Sequence, residues 1–118
     1  MESLFKIATS QAWEEAKITG TIMAGLGDEK DGICLVNFES LEKFANQMFR
    51  PEDYPIALEF SPVSLEADIE WREPSKEKPW KEAILKRDRM IADDVLSIYS
   101  FIAEESDSGF EFRLLGEE

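Results

Sequence analysis

Histidine is absent from the sequence, and Cys34 is its single cysteine. Without histidine, the chain cannot build a His general base, a His-dependent triad or a His-ligated metal centre from its own side chains. One cysteine excludes an internal disulfide and a multi-cysteine zinc site. Basic residues are also scarce, with 13 against 26 acidic residues and a net charge of −13. This charge argues against nucleic-acid binding, which needs a basic surface.

Long hydrophobic runs are missing as well. No apolar stretch approaches the roughly 20 residues that span a membrane, and residues 1–6 lack the pattern of a signal peptide. Cys34 lies within the apolar run of residues 33–36, which predicts a buried structural thiol that is kept reduced. We therefore expect a cytoplasmic protein that does not bind membranes.

The residue types that are present favour a folded chain. The sequence is 43% hydrophobic and 11% aromatic, whereas disordered chains of high net charge are poor in these residues. At this length, we expect a single domain over residues 1–118 with one hydrophobic core.

Two helices are predicted in the N-terminal half. Thr9 or Ser10 can cap the start of the first helix, and Gly20 ends it. Ser40 is the expected cap of the second helix, which continues to about Arg50 and carries an apolar stripe on one face. The stripe consists of Leu41, Phe44, Ala45, Met48 and Phe49.

The predicted strands lie mainly in the second half of the chain. They occupy residues 3–8, 32–37, 56–60, 67–71, 83–86, 95–103 and 110–115, while residues 21–30 read as a loop and residues 91–94 as a turn. The apolar run at 32–37 indicates a strand buried on both faces. The last two strands form a C-terminal β-hairpin, whose edge around Phe110 and Phe112 is a candidate dimer contact. The helices come early in the chain and the strands mainly late, without regular βαβ alternation. This order predicts an α+β fold.

Large aromatic residues on the predicted inner faces are expected to fill the core. They are Trp13, Phe44, Phe49, Phe60, Trp71 and Phe101. Acidic residues often occur in adjacent pairs, such as Asp28 and Glu29, and neighbouring side chains rarely share a site because they point in different directions. We expect these pairs to be solvated. Residues 28–32 also lack the acid spacing of a calcium loop, so no metal-ligating residue is predicted.

A basic segment interrupts the acidic sequence. Residues 76–89 contain six basic and three acidic residues, within a longer polar stretch that includes Pro74 and Pro79. Such a segment can bind an anionic ligand or an acidic partner, or it can fold back on the protein's own acidic surface. Trp80 within it is either tucked under the loop or used by a partner. The candidate binding residues are Trp80, Lys81, Lys86, Arg87 and Arg89.

Several segments together resemble a bacterial protein family of unknown function. They are the strand at residues 4–7, the helix with Trp13 and Ala16, Gly20, and residues 31–37, which read Asp-Gly-Ile-Cys-Leu-Val-Asn. The hallmark segment of the family reads Asp-Gly-Phe-Ile-His-Leu-Ser. Residues 56–60, 69–71 and 91–95 follow the same order, so the resemblance covers roughly residues 4–99.

The resemblance implies a small fold like that of the ADP-ribosyltransferases, in which two sheets enclose a cleft able to hold a nucleotide. The chain departs from the family at polar positions, because Leu35 replaces the histidine, Asn37 the serine and Phe5 the first-strand tyrosine. A second histidine motif, which would fall near residues 84–89, is also absent. If these groups form the family's site, this chain has lost it, so no catalytic residue is carried over.

Three functions follow as hypotheses. The leading one is a non-catalytic binding or interaction domain for a protein partner, which acts without a cofactor as a monomer or homodimer. The second is a nucleotide-binding protein, for NAD or a similar molecule, or an enzyme of ADP-ribosyltransferase-like ancestry. Its candidate residues are Glu59, Glu70, Tyr99 and Ser100. The third is an acidic inhibitor that mimics nucleic-acid phosphates in a basic protein groove.

Overall fold

The structure is a computed structural model that describes residues 2–30, 32–107 and 109–117. Within these ranges the elements are β1 (Leu4–Thr9), α1 (Ser10–Thr19), β2 (Thr21–Met23), β3 (Ile33–Leu35), α2 (Leu41–Met48), β4 (Pro55–Phe60), β5 (Ile69–Arg72), β6 (Glu82–Leu85), β7 (Arg89–Ile91), β8 (Ile98–Ser106) and β9 (Gly109–Glu117). Single 3₁₀ turns precede α2 and connect several strands. The predicted α+β class is confirmed, with both helices in the N-terminal half.

The strands of the described ranges form three antiparallel sheets. Their orders are β1-β4-β8-β9, β3-β6-β5 and β2-β7. The family resemblance implies two sheets, and the third arises because Thr21–Met23, expected to be loop, pairs with Arg89–Ile91. The Ile22 and Met90 side chains of this ribbon are buried. Three residues are too few to show the alternation that identifies a strand.

The two larger sheets join at Phe5 and Val36. The backbone amides and carbonyls of these residues exchange hydrogen bonds of 2.8 and 3.0 Å. Strand β3 therefore lies between two apolar clusters, with Ile33 and Leu35 in one and Cys34 in the other. This arrangement confirms the prediction that the apolar run is buried on both faces.

The helix boundaries follow local capping chemistry. Thr9 Oγ1 accepts a 3.1 Å hydrogen bond from the Ala12 amide, and Gly20 ends α1 with φ +86°, as predicted. Ser40 is the N-cap residue of α2, as predicted, but its side chain makes no capping hydrogen bond. Instead, Asn37 Oδ1 accepts from the Ser40 amide at 3.0 Å and starts a 3₁₀ turn that runs into α2. Neither helix of the described ranges is long and apolar enough to cross a membrane.

The aromatic core is only partly as expected. Phe44, Phe49 and Phe60 are buried, whereas Trp13 and Phe101 are half-buried. The prediction for Trp71 is wrong, because its side chain is 51% exposed. Trp71 lies on β5, the edge strand of its sheet, and the strand pattern alone does not reveal which face remains uncovered.

Helix α2 covers the outer edge of the C-terminal hairpin. Asn46 Oδ1 accepts from the Phe112 amide at 2.6 Å, and Asn46 Nδ2 donates to the Phe112 carbonyl at 3.2 Å. Glu42 Oε2 accepts from the Leu114 amide at 2.8 Å. Phe112 is buried, so this residue does not provide exposed apolar area for the candidate dimer contact. The two α2 side chains occupy backbone groups that a neighbouring strand would otherwise pair with.

Truncating Asn46 tests this edge protection. Asn46→Ala leaves the amide and carbonyl of a buried residue without their side-chain partner, so we expect the free energy of unfolding to fall by about 1–3 kcal/mol. Lys43→Ala, an exposed change one turn earlier on α2, is the control and should change stability by less than about 0.5 kcal/mol. Equal effects of the two substitutions in urea unfolding would contradict the account.

A buried ion pair holds the loop between β2 and β3 against β1. The Nζ atom of Lys6 lies 2.6 Å from Asp28 Oδ2, and the two side chains are 2% and 3% exposed. Asp28 also accepts hydrogen bonds from the Gly25 amide at 2.8 Å and the Cys34 amide at 2.9 Å. The expectation of a solvated Asp28 is wrong. Its carboxylate is buried and accepts hydrogen bonds from β1, from β3 and from its own loop.

We expect Lys6→Met to lower the free energy of unfolding by about 3–5 kcal/mol, because it leaves the Asp28 charge buried without its counter-ion. Lys17→Met is the matched control, since Lys17 forms an exposed pair with Glu14 and such pairs contribute only about 0.2–1 kcal/mol. Chemical unfolding of both variants checks the prediction. A loss below about 1 kcal/mol in Lys6→Met would rule out a structural role for the buried pair.

Candidate functional site

A groove of about 220 Å³ opens beside the junction of the two larger sheets. Its lining residues are Glu2, Leu4, Asn37, Pro62, Trp71 and Lys81. Leu4 comes from β1, Trp71 comes from β5, and Asn37 follows shortly after β3. The groove therefore draws on both sheets, and its lining combines an indole, aliphatic surface and charged groups of both signs.

Trp71 and Lys81 form the aromatic and cationic part of this groove. Trp71 pairs with Ala83 across the β5–β6 ladder, and Lys81 lies two residues before Ala83 in the chain. This diagonal relation places Lys81 Nζ 5.2 Å from the centroid of the Trp71 ring, within the range of a cation–π contact. The Lys81 ammonium thus places a positive charge at the face of the half-exposed indole, where a planar anion can be accommodated.

The structure separates the five binding residues proposed from the sequence. Lys81 lines the groove, whereas the preceding Trp80 is 3% exposed and packs edge-to-face on Phe44 with ring centroids 5.4 Å apart. Trp80 is therefore tucked under the loop, which was one of the two alternatives. Trp80 lies in the bend that precedes β6, where its amide donates to the Lys78 carbonyl at 2.8 Å, and its side chain is directed away from the groove that Lys81 lines.

The other three candidates contact acidic residues of the same surface. Lys86 Nζ lies 3.7 Å from Glu70, Arg87 Nη2 lies 2.7 Å from Asp68, and Arg89 Nε lies 3.2 Å from Asp88. The basic segment thus folds back on its own acidic neighbours. These cations are spread along the segment and do not converge on one point.

The residues proposed for an enzyme are also divided. Glu59 and Tyr99 line a groove of about 240 Å³ next to Phe5, and Ser100 lies on β8. Glu70 belongs to the other large sheet, where Arg72 Nη2 contacts its carboxylate at 3.0 Å. Partial burial and the charge of Glu59 raise the pKa of the Tyr99 hydroxyl. The shift is away from neutral pH, so the Tyr99 hydroxyl is protonated there, as an ordinary phenol is.

A second candidate site is a cluster of charged groups around Cys34. One oxygen of Glu29, one oxygen of Glu82 and the Cys34 sulfur lie within 4.8 Å of one another. Lys78 Nζ lies 3.2 Å from Glu29 Oε2 and 3.6 Å from Glu82 Oε1. Arg72 Nη1 donates to both oxygens of Glu29, at 2.5 Å to Oε1 and 2.6 Å to Oε2.

Close backbone approach assembles this cluster. A Cβ atom at Gly32 would lie 2.5 Å from the Leu85 carbonyl oxygen, so the approach of the loop to β6 depends on glycine at this position. The loop carries Glu29, which shares a bridge with Gly32, while β6 begins with the buried Glu82. The two carboxylates and the sulfur of the cluster therefore come from three separate segments of the chain.

The cluster changes the acidity of its members. Burial raises the pKa of Cys34 to about 12, and the Glu82 and Asp28 charges act in the same direction. Burial also acts to raise the pKa of Glu29, but hydrogen bonds from Arg72 and Lys78 outweigh it and hold the pKa below its usual value. At neutral pH, Cys34 is therefore a protonated thiol beside an ionised Glu29.

Three positions highlighted by the family resemblance fall in different surroundings. Leu35 is fully buried in the core, so a polar group is not presented to a cleft there. Asn37, in contrast, lines the Trp71–Lys81 groove. Phe5 packs edge-to-face on Tyr99 with ring centroids 5.6 Å apart. Of these three positions, Asn37 retains a polar side chain in the groove.

The comparisons with known proteins indicate the fold. The crystal structure of protein CC0527 from Caulobacter crescentus aligns with 92% of this chain and 93% of its own, with a TM-score of 0.70 and 21% identity. The solution NMR structure of CC0527 aligns with 94% of this chain and 92% of its own, with a TM-score of 0.67 and 21% identity. At this identity the likeness concerns the fold alone. No protein-family model matches the chain, and no curated protein matches it.

Thiol reactivity tests the surroundings of Cys34. Only the thiolate form of a cysteine reacts with alkylating agents. At pH 9, an ordinary thiol with a pKa of 9.0 is half ionised, whereas a pKa of about 12 lowers the thiolate fraction of Cys34 on the order of a hundred-fold or more. We expect iodoacetamide to modify the native protein at least that much more slowly than the protein in denaturant. The control is Cys34→Ser combined with Ser64→Cys, which carries an exposed thiol and should react quickly in both states. Rapid native modification of Cys34 would contradict the described environment.

Proposed function

We propose that the chain is a small non-catalytic binding domain whose Trp71–Lys81 groove takes up a planar, anionic group of a ligand or partner. The observation that carries this proposal is the half-exposed Trp71 indole with the Lys81 ammonium at its face. Exposed tryptophans combine a large apolar surface with a polar edge, and they are enriched where proteins bind partners. The cation supplies the preference for a negative charge.

The size of the groove limits the ligand. Pockets that bury a drug-sized molecule usually measure about 300–1,000 Å³, and this groove measures about 220 Å³. It accommodates one ring with its acidic substituent and leaves the rest of a larger molecule outside. An aromatic carboxylate, a mononucleotide portion or an acidic side chain beside a ring on a protein partner matches this chemistry.

We further propose that the fold is ADP-ribosyltransferase-like and that the groove corresponds to the cleft implied by the family resemblance. The position of the groove beside the sheet junction supports this, as does Asn37 in its lining. The departures at Leu35 and Phe5 favour binding over catalysis. A cytoplasmic location, a protein partner and a monomeric or homodimeric state stay predictions.

Ligand titration with groove variants tests the proposal. Indole-3-carboxylate, AMP and NAD are added to the protein, and binding is followed by chemical-shift changes in NMR spectra. We expect at least one ligand to shift the Trp71 indole resonance. Lys81→Met should weaken its binding about 5- to 30-fold, the equivalent of a cation contact of about 1–2 kcal/mol, and Trp71→Ala should abolish it.

Lys86→Met is the matched control, because Lys86 belongs to the same basic segment but lies outside the groove lining. Binding that all three variants retain would place the ligand elsewhere. An absence of shifts at Trp71 with all three ligands at millimolar concentration would overturn the ligand class. If the purified protein hydrolysed NAD and Trp71→Ala abolished this activity, the proposal that the domain is non-catalytic would be overturned.

A further inference from the structure

We propose that Glu29, Cys34 and Glu82 form a binding site for a divalent transition-metal ion of the zinc class, and that the Lys78 ammonium occupies this site in the metal-free chain. The proposal stands apart from the Trp71–Lys81 groove, since none of these four residues lines that groove. It rests on an unpartnered buried carboxylate oxygen, on the donor set and on the position of the lysine.

Glu82 provides the observation that points to a ligand. Its side chain is 5% exposed, and its Oε2 atom has no hydrogen-bond partner among the described residues. A buried charged oxygen without a partner is costly. The carboxylate lies next to the Glu29 carboxylate and the Cys34 sulfur, so a cation among the three would satisfy it.

The donor set selects the kind of metal. A sulfur and two carboxylate oxygens suit zinc, with bond lengths of about 2.3 Å to sulfur and about 2.0–2.2 Å to oxygen. Calcium and magnesium take oxygen ligands and do not use the sulfur. In a tetrahedral site such donors lie roughly 3.6 Å apart, and here they lie within 4.8 Å. Metal binding would therefore require the two glutamate side chains to rotate inward, and water would complete the coordination.

Lys78 marks the position of the cation. Its Nζ atom contacts both carboxylates, at 3.2 Å from Glu29 and 3.6 Å from Glu82. Its side chain is 29% exposed, so the ammonium can leave toward solvent and open the same path to an ion. Arg72 Nη1 donates to both oxygens of Glu29. Each oxygen has a second lone pair for a metal ion once Lys78 leaves, so Arg72 can remain in place. A metal ion thus exchanges with one ammonium, and the Cys34 proton passes to solvent when the thiolate binds the metal.

The sequence alone hides this site, because its members are separated by 5 and 48 positions and follow no ligand-spacing motif. Glu29 lies in the loop before β3, Cys34 on β3 and Glu82 at the start of β6. The pairing of Cys34 with Ile84, two residues from Glu82, brings the last two together.

Titration of the metal-free chain with Co²⁺ tests the proposal, with Zn²⁺ as a competitor. We expect a thiolate-to-cobalt charge-transfer band with one equivalent bound, and its loss when Zn²⁺ is added. Cys34→Ser should remove the band, and Glu82→Gln should weaken binding at least ten-fold while circular dichroism shows an intact fold. Lys78→Met should strengthen binding about ten-fold or more, since it removes the competing cation.

Glu77→Gln is the matched control, because it removes an exposed carboxylate from the same loop and should leave binding unchanged. The gain expected for Lys78→Met protects the test against misfolding, since a disrupted site would bind less tightly. Cobalt binding without a charge-transfer band, unchanged in Glu82→Gln, would assign the ion to surface carboxylates and overturn the proposal. An absence of binding in both the natural chain and Lys78→Met would overturn it as well.

Discussion

The ammonium of Lys6 is buried on the first strand, and the surrounding structure depends on its neutralisation by Asp28. An isolated buried charge would be strongly destabilising, so the loop that carries Asp28 must stay against β1. Asp28 in turn binds the Gly25 and Cys34 amides, which fixes both ends of that loop. Glu29, the next residue, then reaches Arg72 and Lys78. One buried pair therefore positions the loop and one side of the cluster around Cys34.

The net charge alone does not show how the carboxylates are used in the fold. A net charge of −13 suggests an acidic coat, yet several carboxylates are committed to specific cations within the fold. Asp28 is matched by Lys6, and Glu29 is matched by Arg72 and Lys78. Glu82 is served less completely, with Lys78 at 3.6 Å from one oxygen and no hydrogen-bond partner among the described residues for the other. Glu82 Oε2 therefore differs from Asp28 Oδ2 and the Glu29 oxygens, which accept hydrogen bonds from cationic side chains.

Local patterns predict much of the fold. Short stretches encode the Thr9 cap, the Gly20 terminus, the stripe on α2 and the doubly buried β3, each within about ten residues, and the C-terminal hairpin within about twenty. The structure contains all of them. The β2–β7 ribbon and the burial of Asp28 depend on partners far along the chain, so neighbouring residues give no signal. The exposure of Trp71 likewise depends on which strand lies at the edge of its sheet.

The candidate sites were harder to predict for the same reason. The basic segment points to Lys81, but the strand pattern predicts a core position for its aromatic partner Trp71. Trp80 packs on Phe44 of α2 and not in the groove. Cys34 was correctly expected to be buried. The carboxylates around it could not be anticipated, because the β3–β6 register and the close approach at Gly32 bring them together.

Amide hydrogen exchange at Gly25 tests most directly whether the Lys6–Asp28 pair organises the loop. Gly25 is an exposed residue, so its amide would exchange rapidly if it were free, but it donates to Asp28 Oδ2 at 2.8 Å. The account predicts slow exchange at Gly25, at a rate close to that of the Cys34 amide, which donates to the other oxygen of the same carboxylate. Exchange at Gly25 as fast as in an unfolded chain would contradict it.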